Sequence, residues 1–556
     1  MENAVTSHWP AHLQSSLTIP ETNLFHNVEV SAARFPEKPA IIFYDTPITF
    51  AQVRDEAEFI AGYLQNQCGV RAGDRVLLYM QNSPQWVIAC YGILRANAVV
   101  VPVNAMNTAE ELRHYVEDSG AETVLVAQDL FRHIQPLLRN TERNGLQHVI
   151  VATYSDYLKQ PPSVTPPDFV TAARNVDIGG AVAWADALAA RYKPGALTAG
   201  PDDLCVMPYT SGTTGKPKGC MHTHRSVMHT ALASVRWVDI THETTLLTAL
   251  PLFHVTGMQS GMNGPLSCGA TIVLMSRWDR DIAARMIERY QVAVWSAIST
   301  MMVDFLSNPK LREYDLSSLR SLRGGGAAMP AALVKKLKDT VDIDYVEGYG
   351  MSETISATHF NPPQRPKAQC LGIPMFDVDA RVIDPEKLGE VAQGQAGEIV
   401  VHGRQVMQGY WRNPDATREA FIEIDGKRFL RTGDLARVDE EGYYFMTDRL
   451  KRMINASGYK VWPAEVEALM YQHEAIREVC VIGASDSRRG ETVKALVVLD
   501  PGHVGNVTDE DIIAWARNHM ASYKVPRIVE FVRELPKSAS GKILWRQLQE
   551  NSLATL

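Results

Sequence analysis

Between Tyr209 and Gly219 the chain reads Tyr209-Thr210-Ser211-Gly212-Thr213-Thr214-Gly215-Lys216-Pro217-Lys218-Gly219. Glycines let a backbone approach a ligand closely with its N–H groups turned inward, hydroxyls add donors, and lysines supply positive charge. A loop of this composition suits a polyphosphate. It is not a Walker loop, which needs Ser or Thr after its lysine, whereas Pro217 follows Lys216. A polar, glycine-rich segment also suits a plain surface turn, so the rest of the chain has to decide.

Three further segments follow in order: Glu347-Gly348-Tyr349-Gly350-Met351-Ser352-Glu353, Thr432-Gly433-Asp434, and Pro536-Lys537-Ser538-Ala539-Ser540-Gly541-Lys542. Each is common in isolation. Together, in this order, the four resemble the signature of the adenylate-forming superfamily of acyl-CoA synthetases, luciferases and the adenylation domains of peptide synthetases. The resemblance runs from about residue 25 to the end of the chain.

That resemblance implies an ATP-dependent acyl-CoA synthetase. A carboxylate is a poor electrophile, and joining it to AMP with loss of pyrophosphate corrects this. Both partners of that step are negative, so the site must neutralise charge and fix geometry. By resemblance Thr210, Ser211, Gly212, Thr213, Thr214, Gly215 and Lys216 cradle the pyrophosphate. Glu353 helps hold Mg²⁺, a hard cation that prefers oxygen. Ser352 replaces the usual Thr but keeps a hydroxyl for the α-phosphate. Tyr349 stacks on adenine, with Gly348 and Gly350 beside it, and Gly324-Gly325-Gly326-Ala327 forms a small-residue wall. Asp434 accepts from the ribose hydroxyls, and Arg449 reaches the ribose or phosphate region. Lys542 bridges carboxylate and α-phosphate during adenylation. Rotation of a small domain about Lys451 then withdraws Lys542 and brings in Gly458 and Tyr459 to line a passage for CoA. Arg488, Arg489 and Lys460 suit either the CoA phosphates or a solvated basic surface.

His254, in Pro251-Leu252-Phe253-His254-Val255-Thr256-Gly257, resembles a gate near the acid carboxylate, and a core or turn histidine reads the same way. Amino-acid-activating relatives place an Asp in this region, and none occurs between Pro251 and Gly264. Met258, Trp295, Ile298, Met301 and Met302 are apolar and suit an aliphatic or aryl acid, or an ordinary core. Ser299 stands where many relatives carry proline before Thr300. The first expectation is therefore a medium- or long-chain fatty acid, with an aryl or branched acid as runner-up and a stand-alone adenylating enzyme as a further option. A luciferase-like oxygenase shares the nucleotide motifs, but Asn455 replaces the lysine that often serves that chemistry. A non-catalytic nucleotide- or acyl-binding protein is the rival from another class.

These residues must be positioned by a large scaffold. At 556 residues, 46% hydrophobic and 21% charged, the chain reads as a multidomain globular protein. A net charge of −8 argues against nucleic acid as main partner. Seven scattered cysteines without a C-x-x-C pair point to a reducing compartment, hence the cytoplasm, and away from zinc or disulfides. No signal peptide and no run of about twenty apolar residues occurs, which leaves peripheral membrane contact open. A homodimer is equally open.

The N-terminal region alternates strand and helix. Asn23 caps a helix to about Phe35, and Thr49-Phe50-Ala51-Gln52 has capping-box spacing before a helix that carries Val53, Ala57, Ile60, Ala61 and Leu64 on one face. Val76–Met80, Ala98–Val103, Val124–Val126 and Val149–Val151 read as buried strands, and Pro84–Ala96 as a helix. This βαβ rhythm predicts parallel sheets covered by helices. After residue 447 come strands at Val479–Ile482, Val493–Leu499 and Ile528–Val532, a helix capped by Thr508, and a terminal helix at Gly541–Leu548. The expected fold is α/β: a large domain over residues 1–447, made of two α/β subdomains (about 1–195 and 196–371) and a β-barrel lobe (372–447), a hinge at 448–453, and a small α+β domain at 454–556. The chain ends soon after Lys542, so no fused carrier domain is expected.

Overall fold

Val99-Val100-Val101-Pro102 has no polar face, and all four residues are buried in the interior of a sheet, as befits a parallel strand covered on both sides. In the computed structural model the described residues are 8–138, 145–159, 161–175, 177–210, 216–326, 329, 331–449, 452, 454–456, 459–461, 463–486, 490–521, 523–538 and 543–554. The chain divides into two units, Met1–Asp379 with Val401–Leu430, and Ala380–Val400 with Arg431–Leu556.

The first unit holds two open sheets. One has seven strands in the order His222–Thr223, Leu204–Val206, Val99–Pro102, Arg75–Tyr79, Thr123–Ala127, His148–Ala152, Val182–Ala183, parallel except at the first edge. The other has nine, in the order Ile373–Pro374, Ser356–Phe360, Tyr345–Met351, Ser321–Gly325, Val294–Ser296, Thr245–Thr248, Thr271–Leu274, Pro39–Phe43, Thr46–Thr49. Its six central strands are parallel, and the outer ones antiparallel. Local chemistry sets the helices between them. The Thr49 hydroxyl accepts from the Gln52 N–H at 3.1 Å and starts Phe50–Asn66, whose Val53, Ala57, Ile60, Ala61 and Leu64 are buried as their spacing predicts. Ser83 caps Pro84–Arg95 in the same way, with proline in the first turn. Asn23 accepts from the Phe25 N–H at 2.8 Å at the start of Phe25–Arg34.

In the second unit, Tyr459–Val461, Ile454–Ala456, Gly490–Leu499 and Ile476–Asp486 form a sheet in that order, with Ile528–Phe531 pairing alongside Gly490–Leu499. Alternation fills both faces. Val479, Val481, Val493, Ala495 and Val497 pack with Val466, Met470 and Ile512, while Cys480, Ile482, Leu496 and Val498 pack with Leu535. Thr508 caps Asp509–His519 with a full capping box. The terminal helix begins later than the sequence suggests, running Trp545–Ala554. Ile543 bridges Lys537, and the Leu544 N–H bonds the Pro536 carbonyl at 2.8 Å. Ile543 and Leu544, both inside the expected helix, are thus committed to an extended pairing, while Gly541 and Lys542 lie outside the described residues.

The two-sheet α/β first unit and the small α+β second unit agree with the fold class read from the sequence. All seven cysteines are free, and six are buried. Among the described residues no helix is long and apolar enough to cross a membrane.

Candidate active site

Open parallel sheets bind ligands outside the carboxyl ends of their strands, at the point where strand order reverses. Asn82 lies just past the end of Arg75–Tyr79 and ties the two sheets together there. Its amide donates to the Leu250 carbonyl at 2.9 Å and the Met275 carbonyl at 3.2 Å, and its oxygen accepts from the Leu252 N–H at 2.8 Å. Leu250 and Met275 follow the carboxyl ends of Thr245–Thr248 and Thr271–Leu274. In the nine-stranded sheet the order reverses between Thr245–Thr248 and Val294–Ser296. The loops leaving those two strands end at His254 and Ile298, and the helices that follow carry Met258 and Met301, respectively.

The two ends of the polyphosphate-type segment pair as a two-stranded hairpin, Tyr209–Thr210 against Lys218–Gly219, with Thr210 opposite Lys218. Thr210 is half-buried and Lys216 exposed. The hairpin is anchored on both sides. The Tyr209 hydroxyl donates to Asp118 at 2.6 Å, and His114 Nε2 meets the Pro217 carbonyl at 2.7 Å. Burial pushes the Tyr209 pKa up, and Asp118 adds to the rise. A Cβ on Gly219 would stand 3.0 Å from the Met207 side chain and 3.2 Å from the Tyr209 ring, a tight fit. Lys218 lies over the Tyr410 ring, 4.3 Å from its centroid.

Glu353 is built onto the same assembly. It is buried in the tight turn Ser352–Thr354. Its Oε1 accepts from the Tyr410 hydroxyl at 2.9 Å, and its carbonyl accepts from the Met407 N–H at 2.8 Å. His222, three residues past the hairpin, sets its Nε2 2.7 Å from the Ser352 carbonyl. Burial lowers the His222 pKa to about 4, so it stays neutral near pH 7 and its N–H donates. Ile355, next in the chain, has φ +46. A β-branched residue in the left-handed region costs roughly 1–3 kcal/mol and persists only where the surroundings fix it.

The glycines of the second motif have packing reasons of their own. Gly324 and Gly325 stand opposite Glu347 and Gly348 on neighbouring parallel strands. A Cβ would lie 2.0 Å from the Ala297 carbonyl at Gly324, 2.2 Å from the Gly348 carbonyl at Gly325, 2.3 Å from the Phe360 ring at Gly348 and 1.8 Å from the Ser356 carbonyl at Gly350. Gly326 adopts φ +87, which favours glycine. Tyr349 is buried, its ring edge-on to His359 with centroids 5.7 Å apart.

Glu347 is buried on this strand, and burial raises its pKa to about 8. The unfolded chain loses this proton near pH 4.5, whereas the folded chain keeps it until about pH 8. The folded state therefore binds more protons across that window, and stability falls as pH rises through it. Glu347→Gln keeps an acceptor for the Met329 N–H and removes the titration. We expect the variant to be more stable than the parent at pH 8 by about 3 kcal/mol and the gap to close toward pH 5, as measured by denaturant midpoints at the two pH values.

The apolar residues expected to line an acid pocket do not all gather. Met258 is buried in the short helix Val255–Met258, capped by His254, whose Nδ1 accepts from the Thr256 N–H at 3.3 Å. A π-turn, Gln259–Asn263, follows at once. Trp295 stacks on Trp278 with centroids 5.3 Å apart and packs edge-on to Phe305, so core aromatics meet its ring. Ile298 immediately precedes Ser299–Leu306, which carries buried Met301 and Met302. At Ser299 the backbone enters a helix where a proline would also fit.

In the second unit Thr432-Gly433-Asp434 is extended strand gathered around Glu398. That buried carboxylate pairs with Arg431 at 2.6 Å and accepts from the Gly433 N–H at 3.1 Å. The Thr432 hydroxyl donates to the Ile399 carbonyl at 2.7 Å and accepts from the Asp434 N–H at 3.1 Å. Asp434 is buried, and its backbone stands in register with Arg449. Tyr459 stands opposite Ala456 at the start of its strand. Ser211, Gly212, Thr213, Thr214, Gly215, Ala327, Lys451, Gly458 and Lys542 lie outside the described residues.

With this arrangement in view, comparison with known proteins is decisive. An AMP-binding enzyme domain matches residues 28–411, and its C-terminal domain matches 465–542. The chain belongs to the AMP-binding enzymes. Similar relatives include a long-chain-fatty-acid–CoA ligase of Bacillus subtilis, 35% identical over 98% of this chain and 97% of that one. Another is its counterpart in Salmonella typhimurium, 34% identical over 94% and 93%. A feruloyl-CoA synthase of an Amycolatopsis species is 34% identical over 92% and 95%. Among solved structures, the anthranilate CoA ligase AuaEII in complex with anthranoyl-AMP superposes with TM-score 0.84 at 27% identity, covering 98% of this chain and 99% of that one. ATP-bound MatB from Rhodopseudomonas palustris gives 0.82 at 26%, covering 96% and 99%.

Two residues that hold this AMP-binding enzyme's Glu353 turn, Tyr410 and His222, carry no motif. Tyr410 is 57 positions away in sequence, and His222 reads as one more residue of a strand edge. A divalent cation carried on nucleotide phosphates needs only one or two protein carboxylates, the rest of its shell being water and phosphate oxygen. Glu353 fits that demand. Among the described residues no group of three His, Cys, Asp or Glu side chains gathers as an all-protein cage would require.

Proposed function

We propose that this AMP-binding enzyme activates a long-chain fatty acid and joins it to CoA. As a class it is an AMP-forming acid–CoA ligase. In the first half-reaction a carboxylate oxygen attacks the α-phosphorus of ATP, the α–β anhydride bond breaks, and acyl-AMP and pyrophosphate result. In the second, the CoA thiol gives up its proton, its sulfur attacks the acyl carbon, and AMP leaves from the thioester.

The observation that carries the reading is the end-to-end match to bacterial long-chain-fatty-acid–CoA ligases, spanning 98% of this chain and 97% of the Bacillus subtilis relative. In this reading Thr210 to Lys216 receives the departing pyrophosphate, and the Ser352 hydroxyl meets the α-phosphate. Tyr349 and the Gly324–Ala327 segment meet adenine, Asp434 and Arg449 the ribose, and Gly458 and Tyr459 the CoA arm. Glu353 holds Mg²⁺, which when bound neutralises phosphate charge. Lys542 serves adenylation, and residues 448–453, with Lys451, serve as the hinge between a domain over 1–447 and one over 454–556.

An aryl acid is the second reading, favoured by the match to feruloyl-CoA synthase over 92% of this chain and 95% of that one. A panel of long-chain, medium-chain and cinnamate-type acids, assayed for AMP and thioester formation, separates the two. Long-chain acids are expected to give the highest kcat/KM. A higher value for the aromatic acids selects the second reading, and no adenylate from any acid overturns both.

A further inference from the structure

Arg323 carries a buried charge that the proposed reaction leaves unexplained. It lies inside the nine-stranded sheet, one residue before Gly324-Gly325-Gly326, and only 2% of its surface is exposed. Burial lowers its pKa only to about 10, so it is a cation at neutral pH. A buried charge normally sits beside an opposite one, because desolvation is costly. Arg323 forms no ion pair among the described residues. The nearest buried acid on the adjoining strand, Glu347, stands in register with Gly324, while Arg323 pairs with Val346. The pleat therefore sends Glu347 to the opposite face.

Three neutral oxygens hold the guanidinium. Nε donates to Ser296 Oγ at 3.0 Å, Nη1 to the Ser234 carbonyl at 3.0 Å and Nη2 to the Ser260 carbonyl at 3.2 Å. Both carbonyls are ones that helices leave without a donor. Ser234 is in the last turn of His224–Trp237, where the final carbonyls point past the helix end and the helix dipole favours a cation. Ser260 belongs to the π-turn. The Gly264 N–H, four residues on, is already bonded to the Gln259 carbonyl. Five residues on stands Pro265, which has no N–H. The backbone has nothing left to offer Ser260, and Arg323 supplies the donor.

The rest of the π-turn is pinned in the same manner. The Thr248 hydroxyl donates to the Gly261 carbonyl at 2.8 Å. The Tyr91 hydroxyl donates to Asn263 at 2.9 Å, and Asn263 donates to the Gln259 amide oxygen at 3.2 Å. An irregular turn held by three buried polar ties has one shape. It leads directly out of the His254–Met258 segment at the strand-order reversal.

We propose that Arg323 is a positioning residue for acid selection: it clamps the π-turn Gln259–Asn263 against Ser296 and the end of helix His224–Trp237, and so fixes the shape of the acid pocket behind His254. This rests on the reading of that loop as the acid site. π-turns recur at functional sites because the widened turn re-aims side chains. Here the widening leaves a carbonyl that only an imported donor can satisfy.

The test is steady-state kinetics of Arg323→Met and Arg323→Lys with ATP and with acids of graded length. Arg323→Met is expected to raise the acid KM at least about tenfold and to reorder the acids, while the ATP KM stays within about twofold. Arg323→Lys, which keeps a charge and reaches fewer oxygens, is expected to show the same split at about threefold, and it decides the matter if the methionine variant does not fold. Adding Pro265→Ala to Arg323→Met returns an N–H five residues beyond Ser260, and part of the acid KM is expected to recover, which a general loss of packing would not give. Equal rises in the acid and ATP constants, or an unchanged acid KM, overturn the proposal. A wild-type enzyme that adenylates no acid overturns the reaction assignment instead, so the two failures are distinct.

Discussion

Lys542→Ala is expected to lower acid-dependent adenylation about 10³-fold, while thioester formation from supplied acyl-AMP changes by less than about threefold. The physical reason is that the charge matters in one half-reaction only. During adenylation a carboxylate approaches a triphosphate, and negative charge builds on the oxygens of the transferring phosphate. A single ammonium placed there acts most strongly at the moment of transfer. In the second step the electrophile is already a mixed anhydride, so that ammonium has little left to stabilise.

The neighbouring lysine supplies the control. Lys537 pairs with Glu478 at 2.8 Å, and its backbone bridges Ile543, so its charge is committed to holding the second unit's own surface. Lys537→Ala should leave both half-reactions near the parental rate, within about threefold. Pyrophosphate release with acid and ATP, and thioester formation from synthetic acyl-AMP, measure the two steps separately. Equal losses in both steps for Lys542→Ala would remove the assignment of a role confined to adenylation.

What the sequence discloses, and what it hides, follows the range of the interactions involved. Pro84–Ala96 and Val149–Val151 are legible because hydrophobic period and capping act over a few residues. They return as Pro84–Arg95 and His148–Ala152, each within a residue or so of the expected ends. The Thr49 and Thr508 caps are legible for the same reason. The terminal helix is expected from Gly541 but runs Trp545–Ala554, because a bridge from Lys537 to Ile543, invisible to any local pattern, holds Ile543 in an extended pairing.

The candidate site divides along the same line. The stem of the phosphate-type hairpin and the carboxylate of Glu353 are written in motifs. The groups that hold them are not, since Tyr410 and His222 act across the fold. Glycines mislead in an instructive way. Gly348 and Gly350 suggest room for a nucleotide, yet a side chain at either would first strike Phe360 or the Ser356 carbonyl. Arg323 is the extreme case. In sequence it is one more arginine near Arg320, and its meaning depends on a missing N–H at Pro265 and a helix end at Ser234.

Glu353→Gln is the second large effect expected, with kcat/KM for Mg-ATP falling about 10²-fold and the acid KM little changed. The substitution is nearly isosteric, so the turn should survive it. The Met407 N–H still finds the residue 353 carbonyl, the His222 imidazole still finds that of Ser352, and an amide oxygen can still accept from the Tyr410 hydroxyl. What is lost is a negative charge, and a neutral amide is a far weaker partner for a hard divalent cation than a carboxylate. The loss should therefore show as a higher Mg²⁺ requirement, partly offset by raising the metal concentration at fixed ATP. Tyr410→Phe makes the complementary cut. It keeps the charge and removes one of the contacts that aim it, so it should cost only about fivefold, without a shift in metal requirement. The contrast separates charge from aim. If Glu353→Gln runs at the parental rate at every Mg²⁺ concentration, then the buried carboxylate serves the Tyr410 contact and the fold of its turn, and the cation is held by other groups.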